Sequence, residues 1–265
     1  MIRKRRYDLW LFIAAMLVAL PFVPLVLWAF AGEWRFPELL PTEWTLRGWS
    51  YLGGNRFSEA IVNSLVVGVG ATVASVAVGL PAGMAIGGYA FRAKGLVVFL
   101  VLLPVMVPPL ASTMGIHLTF IRLGLADTLF GVFLVHLIPT VPYTTIILAS
   151  VFADMTGEME EAARTLGASP FRAFLHVTLP QAIPGVAVAA LFAFLVSWSQ
   201  YILTVLVGGG SVLTLPMLLF SAASGNDPVI TSVFAVVFAL PALAALVAAL
   251  RFVRNDTNLA PGRPT

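Results

Sequence analysis

Asp154-Met155-Thr156-Gly157-Glu158-Met159-Glu160-Glu161-Ala162-Ala163-Arg164-Thr165-Leu166-Gly167-Ala168-Ser169-Pro170-Phe171-Arg172-Ala173-Phe174-Leu175-His176-Val177-Thr178-Leu179-Pro180 lies between two long apolar stretches, Leu129–Phe152 and Ile183–Val207. The run reads as two short helices. Thr156 is suited to cap the first, with Glu158, Glu160 and Glu161 near the positive end of its dipole. Gly167 is suited to end it, because glycine adopts the left-handed conformation without a Cβ penalty. Ser169-Pro170 restarts a helix, serine as N-cap and proline at the first helical position. Pro180 is expected to stop that helix before the next apolar stretch.

The rest of the chain places this polar run in a membrane protein. Of 265 residues, 60% are hydrophobic and 10% are charged, against roughly 25% charged in soluble domains. Six stretches are apolar: Leu9–Ala31, Ala60–Ala90, Leu96–Leu118, Leu129–Phe152, Ile183–Val207 and Pro228–Val253. All are too long for core strands and lack the alternation of barrel strands. Only helices or closed barrels satisfy the backbone in a bilayer, so these read as helices. The first follows Arg3-Lys4-Arg5-Arg6. As a helix it is about 35 Å long, longer than the apolar part of a secretory signal, and it is expected to remain uncleaved. With the N-terminus inside the cell, 11 of the 15 Lys and Arg residues fall on the inner side; Arg35, Arg47, Arg56 and Arg122 fall outside. That imbalance predicts cytoplasmic termini. The outer segment 32–59 carries Trp34, Trp44, Trp49 and Tyr51. These suit an interfacial aromatic belt or a docking surface for an external partner. Ser58, followed by Glu59, is expected to cap the second helix.

Within the polar run, Glu161-Ala162-Ala163, three residues, Gly167, nine residues, Val177, one residue and Leu179-Pro180 resemble the EAA loop of the permeases of ATP-binding cassette (ABC) importers. The one departure is Val177, where the family pattern has isoleucine. Three further groups resemble the same family. They are Trp44-Thr45-Leu46 through Tyr51-Leu52 with Ala60-Ile61-Val62-Asn63-Ser64-Leu65; Leu103-Pro104 with Pro108-Pro109; and Ser197-Trp198-Ser199-Gln200-Tyr201 with Thr214-Leu215-Pro216 and Asp227-Pro228. The resemblance covers roughly residues 44–250. It implies an all-α, polytopic membrane helix bundle of about six transmembrane helices, the type I ABC importer permease fold. Residues 1–59 would hold the first helix and outer loop, 60–253 the core with the coupling loop at 154–180, and 254–265 a cytoplasmic tail. The implied partners are a dimer of ATPase subunits, a second permease subunit and an extracytoplasmic solute-binding protein, all at a bacterial cytoplasmic membrane. Glu161, Ala162, Ala163, Gly167, Leu179 and Pro180 would form the ATPase-coupling element. The end segments look closest to permeases for polyamines, thiamine and inorganic ions.

The residues themselves agree with a coupling role. Ala162 and Ala163 let a partner backbone approach closely, Glu161 offers an acceptor or an ion pair, and Gly167 allows the turn between helices. Read without the spaced pattern, the same residues make a solvated amphipathic linker. No phosphate-binding G-x-x-x-x-G-K-[ST] run occurs, so ATP hydrolysis is expected in a separate subunit, and Gly208-Gly209-Gly210 reads as a turn. His117, His136 and His176 lack metal-ligand spacing, and Glu160-Glu161 has no partner base. No cofactor and no nucleic-acid partner is expected. Inside the helices, Asn63 and Thr144-Thr145 suit helix–helix contacts. Ser197, Gln200 and Tyr201 cluster near one end of the fifth stretch, and Pro104, Pro108 and Pro109 break the third. Ser197, Gln200, Tyr201 and Pro108 are therefore candidates for the solute path, with helix packing as the competing role.

Two other function classes fit less well. A secondary transporter needs intramembrane ionisable residues and often shows inverted repeats; neither is visible. A membrane enzyme needs a catalytic cluster at the interface. A sugar-type importer permease shares the EAA loop. The topology is open to test in this cysteine-free chain. A single Ser169→Cys is expected to resist an impermeant maleimide added to intact cells and to react once the membrane is permeabilised. Labelling from outside would reverse the orientation.

Overall fold

The computed structural model describes residues 16–17, 20–35, 37–155 and 157–257. In chain order the helices are α1 (Phe22–Ala29), α2 (Arg47–Ser50) with a 3-10 turn at Tyr51–Gly53, α3 (Asn55–Gly88), α4 (Lys94–Met106), α5 (Pro109–Arg122), α6 (Leu129–Ala153), α7 (Glu158–Thr165), α8 (Pro170–Ala173), a π-helical turn (Phe174–Thr178), α9 (Leu179–Trp198), α10 (Ile202–Gly208), α11 (Leu215–Ser224) and α12 (Pro228–Thr257). Among the described residues four continuous spans are long and apolar enough to cross a bilayer: Asn55–Gly88, Leu129–Ala153, Pro170–Trp198 and Pro228–Arg251. The third apolar stretch is present but divided into α4 and α5. α1 is the helical end of the first stretch; most of the remainder of that stretch, with Arg3–Arg6, lies outside the described residues.

Two compact units divide the chain, one from residues 1–60 and 215–241, the other from 61–214 and 242–265. In the larger unit α6 is the central post. Half of its most apolar window is buried, against 28% for α3 and 17% for Pro170–Trp198. The cause is a seam of small residues. Gly79, Gly83 and Gly87 recur every fourth residue and so share one face of α3. A Cβ at Gly83 would stand 2.7 Å from Leu148 Cβ and 2.9 Å from the Ala149 amide nitrogen, and one at Gly87 would collide with the Ala149 carbonyl oxygen. Close backbone approach of this kind favours helix association where lipid removes the hydrophobic drive. Polar groups lock the register. Thr144 donates to the Ser75 carbonyl at 3.0 Å, and the Ser75 and Thr140 hydroxyls are 2.6 Å apart. Leu148, Phe152, Ala182 and Ala189 then join α6 to α9, with Leu80 and Met84 of α3 against them. Val135 of α6 packs with Leu203 and Val207 of α10 and with Ile116 and Phe120 of α5.

Prolines divide the third apolar stretch but not the start of the fifth. α4 ends at Met106, and Pro108 stands extended (φ −55°, ψ 129°) before Pro109 opens α5, since a residue preceding proline avoids the helical region. Pro180 was expected to stop a helix, and this expectation fails. The helix continues from Pro170 to Trp198, and the π-helical turn over Phe174–Thr178 precedes Pro180, which occupies the first turn of α9. A widened turn accommodates a ring that an α-helical turn would reject. The fifth stretch breaks elsewhere, at Ser199–Tyr201, between α9 and α10.

In the smaller unit Ala29, Val233 and Phe234 form a core, with Trp49, Leu52 and Phe57 packed on it. Trp49 donates its indole N–H to the Ala29 carbonyl at 2.8 Å. Gly48 lets this segment lie on α12, since a Cβ there would stand 2.8 Å from Val233. Asp227 accepts from the amides of Val229 and Ile230, capping α12, and pairs with Arg47 at 3.0 Å. Trp44 remains exposed, whereas the Trp28 and Trp34 rings lie with centroids 4.9 Å apart, tilted by 35°. Ser58 does not cap the second helix. That helix opens at Asn55 after an extended Gly54, and the Ser58 hydroxyl donates back to the Asn55 carbonyl at 3.0 Å.

The seam is tested by size. Gly83→Val puts two methyl groups into backbone contact, an overpacking cost of order 1–3 kcal/mol or more. Detergent-solubilised Gly83→Val is expected to melt well below the parent. Gly88→Ala, where a Cβ meets nothing within 4 Å, is expected to match it.

Candidate coupling loop and broken helices

The polar run folds as its residues predict at three points. Gly167 is left-handed (φ 94°). Its amide donates to the Arg164 carbonyl and that of Ala168 to the Ala163 carbonyl, both at 3.0 Å. This pair of bonds is the Schellman closure of a helix end. Ser169 accepts from the Arg172 amide at 3.4 Å with Pro170 at the first helical position. Gly157 occupies the N-cap of α7 in the left-handed conformation; Thr156, the expected cap, lies outside the described residues.

The loop presents a face and is tied down behind it. Glu161, Ala162 and Gly167 are exposed and Ala163 is half-buried. Leu166 is 90% exposed, Phe171 70% and Met159 61%. On the other side Thr178, itself buried, donates to Glu160 Oε2 at 2.6 Å. This bond joins α7 to the helix that carries Leu179 and Pro180. Nothing in the sequence pattern marks Thr178 as a partner or distinguishes Glu160 from Glu158 in the first turn. His176 is exposed, with Nδ1 3.0 Å from the Arg172 carbonyl.

Farther along that helix lies the break at Ser199–Tyr201. Gln200 and Tyr201 are half-buried and Ser199 is exposed. Ser197 is buried, 2.8 Å from His136 Nδ1 on α6. His136 Nε2 lies 2.9 Å from Thr204 Oγ1, and Thr204 donates to the Gln200 carbonyl at 2.8 Å. Nothing in the sequence pattern signals the contact of His136 with both sides of a break. Pro108 is exposed in the other break. Asn63 donates to the Leu213 carbonyl at 2.9 Å, so it holds the chain just before α11 rather than another helix. Gly209 and Gly210 are left-handed in the turn after α10. Among the described residues no three His, Asp or Glu side chains gather as a metal site would require.

A bundle of long apolar helices, two of them broken, with a capped polar loop between spans, defines a polytopic membrane transport subunit. The chain belongs to the family of binding-protein-dependent transport system inner membrane components, whose model matches residues 79–255. It is 29% identical over 206 residues to the trehalose transport system permease protein SugB of Mycobacterium tuberculosis, covering 75% of each chain. It is 26% identical over 226 residues to the putrescine transport system permease protein PotI of Escherichia coli, covering 80% of this chain and 78% of that one. Among solved structures it is similar to a chain of a bacterial ABC transporter involved in import of the acidic polysaccharide alginate. The TM-score there is 0.72 at 18% identity, over 95% of this chain and 96% of that one. Sugar and polyamine permeases thus stand at similar distance, and the narrower likeness to the polyamine, thiamine and ion group is not favoured over the sugar group.

The tie between loop and helix gives a prediction. Thr178→Val keeps the shape and removes the bond to the Glu160 carboxylate, worth about 1.5 kcal/mol. Amide hydrogen exchange over 158–165 is expected to quicken roughly tenfold on that figure, with exchange in α6 unchanged. Equal exchange in both proteins would show that α7 does not depend on this bond.

Proposed function

We propose that this permease subunit forms part of a solute path and couples it to a separate ATPase subunit through the loop 154–180. The observation that carries the reading is the loop itself. Glu161, Ala162, Leu166 and Phe171 are presented outward, while the helix begun at Pro170 runs without interruption to Trp198, beside the break at Ser199–Tyr201. A push on α7 or α8 has a rigid element to act on. In this reading the loop faces the cytoplasm, Glu161, Ala162, Ala163 and Gly167 set the docking face, and Leu179 and Pro180 begin the element that carries the motion. A second permease subunit completes the path and an extracytoplasmic solute-binding protein loads it. A structure of the alginate transporter in complex with a periplasmic protein bound to an alginate pentasaccharide shares this fold at a TM-score of 0.63 and supports that arrangement.

Gln200, Tyr201 and Pro108 line the path in this reading, with Ser197 behind them. The solute is an uncharged, hydroxyl-bearing molecule of the sugar class. No Asp or Glu occurs between residues 60 and 126 or between 162 and 226, and a diamine crossing apolar surroundings needs carboxylate partners. Amide and phenol groups match hydroxyls. The relatives named for trehalose and diacetylchitobiose transport agree with this choice.

Gly167→Val and Glu161→Lys test the coupling. A Cβ at Gly167 meets nothing within 4 Å, so valine there costs only the strain of a left-handed backbone, of order 1–3 kcal/mol. Both variants are expected in the membrane at parental levels, with the ATPase no longer co-purifying and uptake lost. Parental co-purification and uptake in both would reduce the loop to a linker.

A further inference from the structure

We infer that His136 is a positioning residue for the solute path: it holds the shape of the break between α9 and α10 by bonding one residue on each side of it. The inference rests on the reading of Ser199–Tyr201 as part of that path. His136 is 2% exposed, in the first third of α6. Its two ring nitrogens reach Ser197, in the last turn of α9, and Thr204, in the first turn of α10. No backbone ladder crosses the break. The chain leaves α9 with Ser199 and Gln200 donating their amides to the Leu195 and Ser197 carbonyls, and regains helix when Val205 donates to the Tyr201 carbonyl.

The direction of each bond follows from proton counting. Thr204 has one hydroxyl proton, which it gives to the Gln200 carbonyl. It must therefore accept from His136, so Nε2 carries the hydrogen. A neutral imidazole then leaves Nδ1 as an acceptor, and Ser197 donates to it. The result is a one-way series from Ser197 through His136 and Thr204 to the Gln200 carbonyl, in which every group is satisfied. Irregular backbone inside a membrane protein persists where other groups satisfy it; here the Thr204 hydroxyl satisfies the Gln200 carbonyl, and the imidazole holds the hydroxyls of Thr204 and Ser197 on either side of the break. The series is anchored further, since Thr140 donates to the His136 carbonyl at 2.8 Å and meets Ser75 of α3. The geometry of Gln200 is thus set from α6, the post on which α3, α9 and α10 pack.

A single Gln200→Cys in the full-length chain, in native membranes, reads that geometry through its rate of reaction with N-ethylmaleimide. A cysteine at Ser169, far along the helix, serves as control. His136→Phe keeps a flat ring and removes both bonds; it is expected to change the Gln200→Cys rate at least threefold and leave the Ser169→Cys rate alone. His136→Gln, which keeps a donor and an acceptor, is expected to restore the rate to within twofold. Should His136→Phe fail to accumulate, Thr204→Val cuts the arm that ends on the Gln200 carbonyl and is held to the same threshold. A Gln200→Cys rate within twofold of the parent in the non-bonding variant overturns the inference, as does an equal change at Ser169→Cys. Protection of Gln200→Cys by transported disaccharide tests the path reading separately: its absence, with the His136 effect intact, removes the path and leaves the positioning of the break standing.

Discussion

No water reaches the apolar interior of a bilayer, so each backbone group that a helix releases there must be satisfied by the protein itself. In this chain the constraint falls on α6. It carries His136, whose ring contacts both sides of the break between α9 and α10. It also carries Thr144, which donates to a carbonyl of α3. One face of α6 meets the glycine seam of α3 backbone to backbone, and another meets α9 through Leu148 and Phe152. A more loosely packed α6 would leave the hydroxyls of Ser197 and Thr204, one on each side of the break, without their imidazole partner.

The polar loop is joined to the break by side-chain bonds and a single helix. The loop is capped at both helix ends by its own residues, through the closure at Gly167 and the cap at Ser169. Thr178 and Glu160 fasten it to the start of the long helix, and that helix delivers its far end to the break. The π-helical turn lets Pro180 sit inside this element instead of ending it.

Most of the architecture was legible because it rests on local rules. Apolar length marked the spans, Pro108-Pro109 marked one break, and Gly167 and Ser169-Pro170 marked the loop's turns. The failures came where a distant residue decides. Ser199–Tyr201 carries no proline or glycine, so the break has no local signal; what sustains it is a histidine 61 residues earlier in the chain. Pro180 misled because a proline's effect depends on the turn before it. The Gly79, Gly83, Gly87 repeat was visible in principle as a four-residue period of small residues, but only the structure shows which helix it faces. Leu215–Ser224, ten residues of apolar helix, is too short to register as a span. Solute class has no local signal in the end segments, which resemble permeases for polyamines, thiamine and ions although relatives named for sugars and for putrescine stand at similar identity.

The helix from Pro170 to Trp198 joins the polar loop to the break, and spin labels at Phe171→Cys and Leu195→Cys in the assembled importer read whether it is stiff. Twenty-four residues of helix separate them by about 36 Å at 1.5 Å per residue. A single narrow distance, the same without nucleotide and with ATP bound, is the result this account predicts. A second population, or a shift on ATP binding larger than about 5 Å, roughly one helical turn, would show that the helix bends at the π-helical turn and would contradict it.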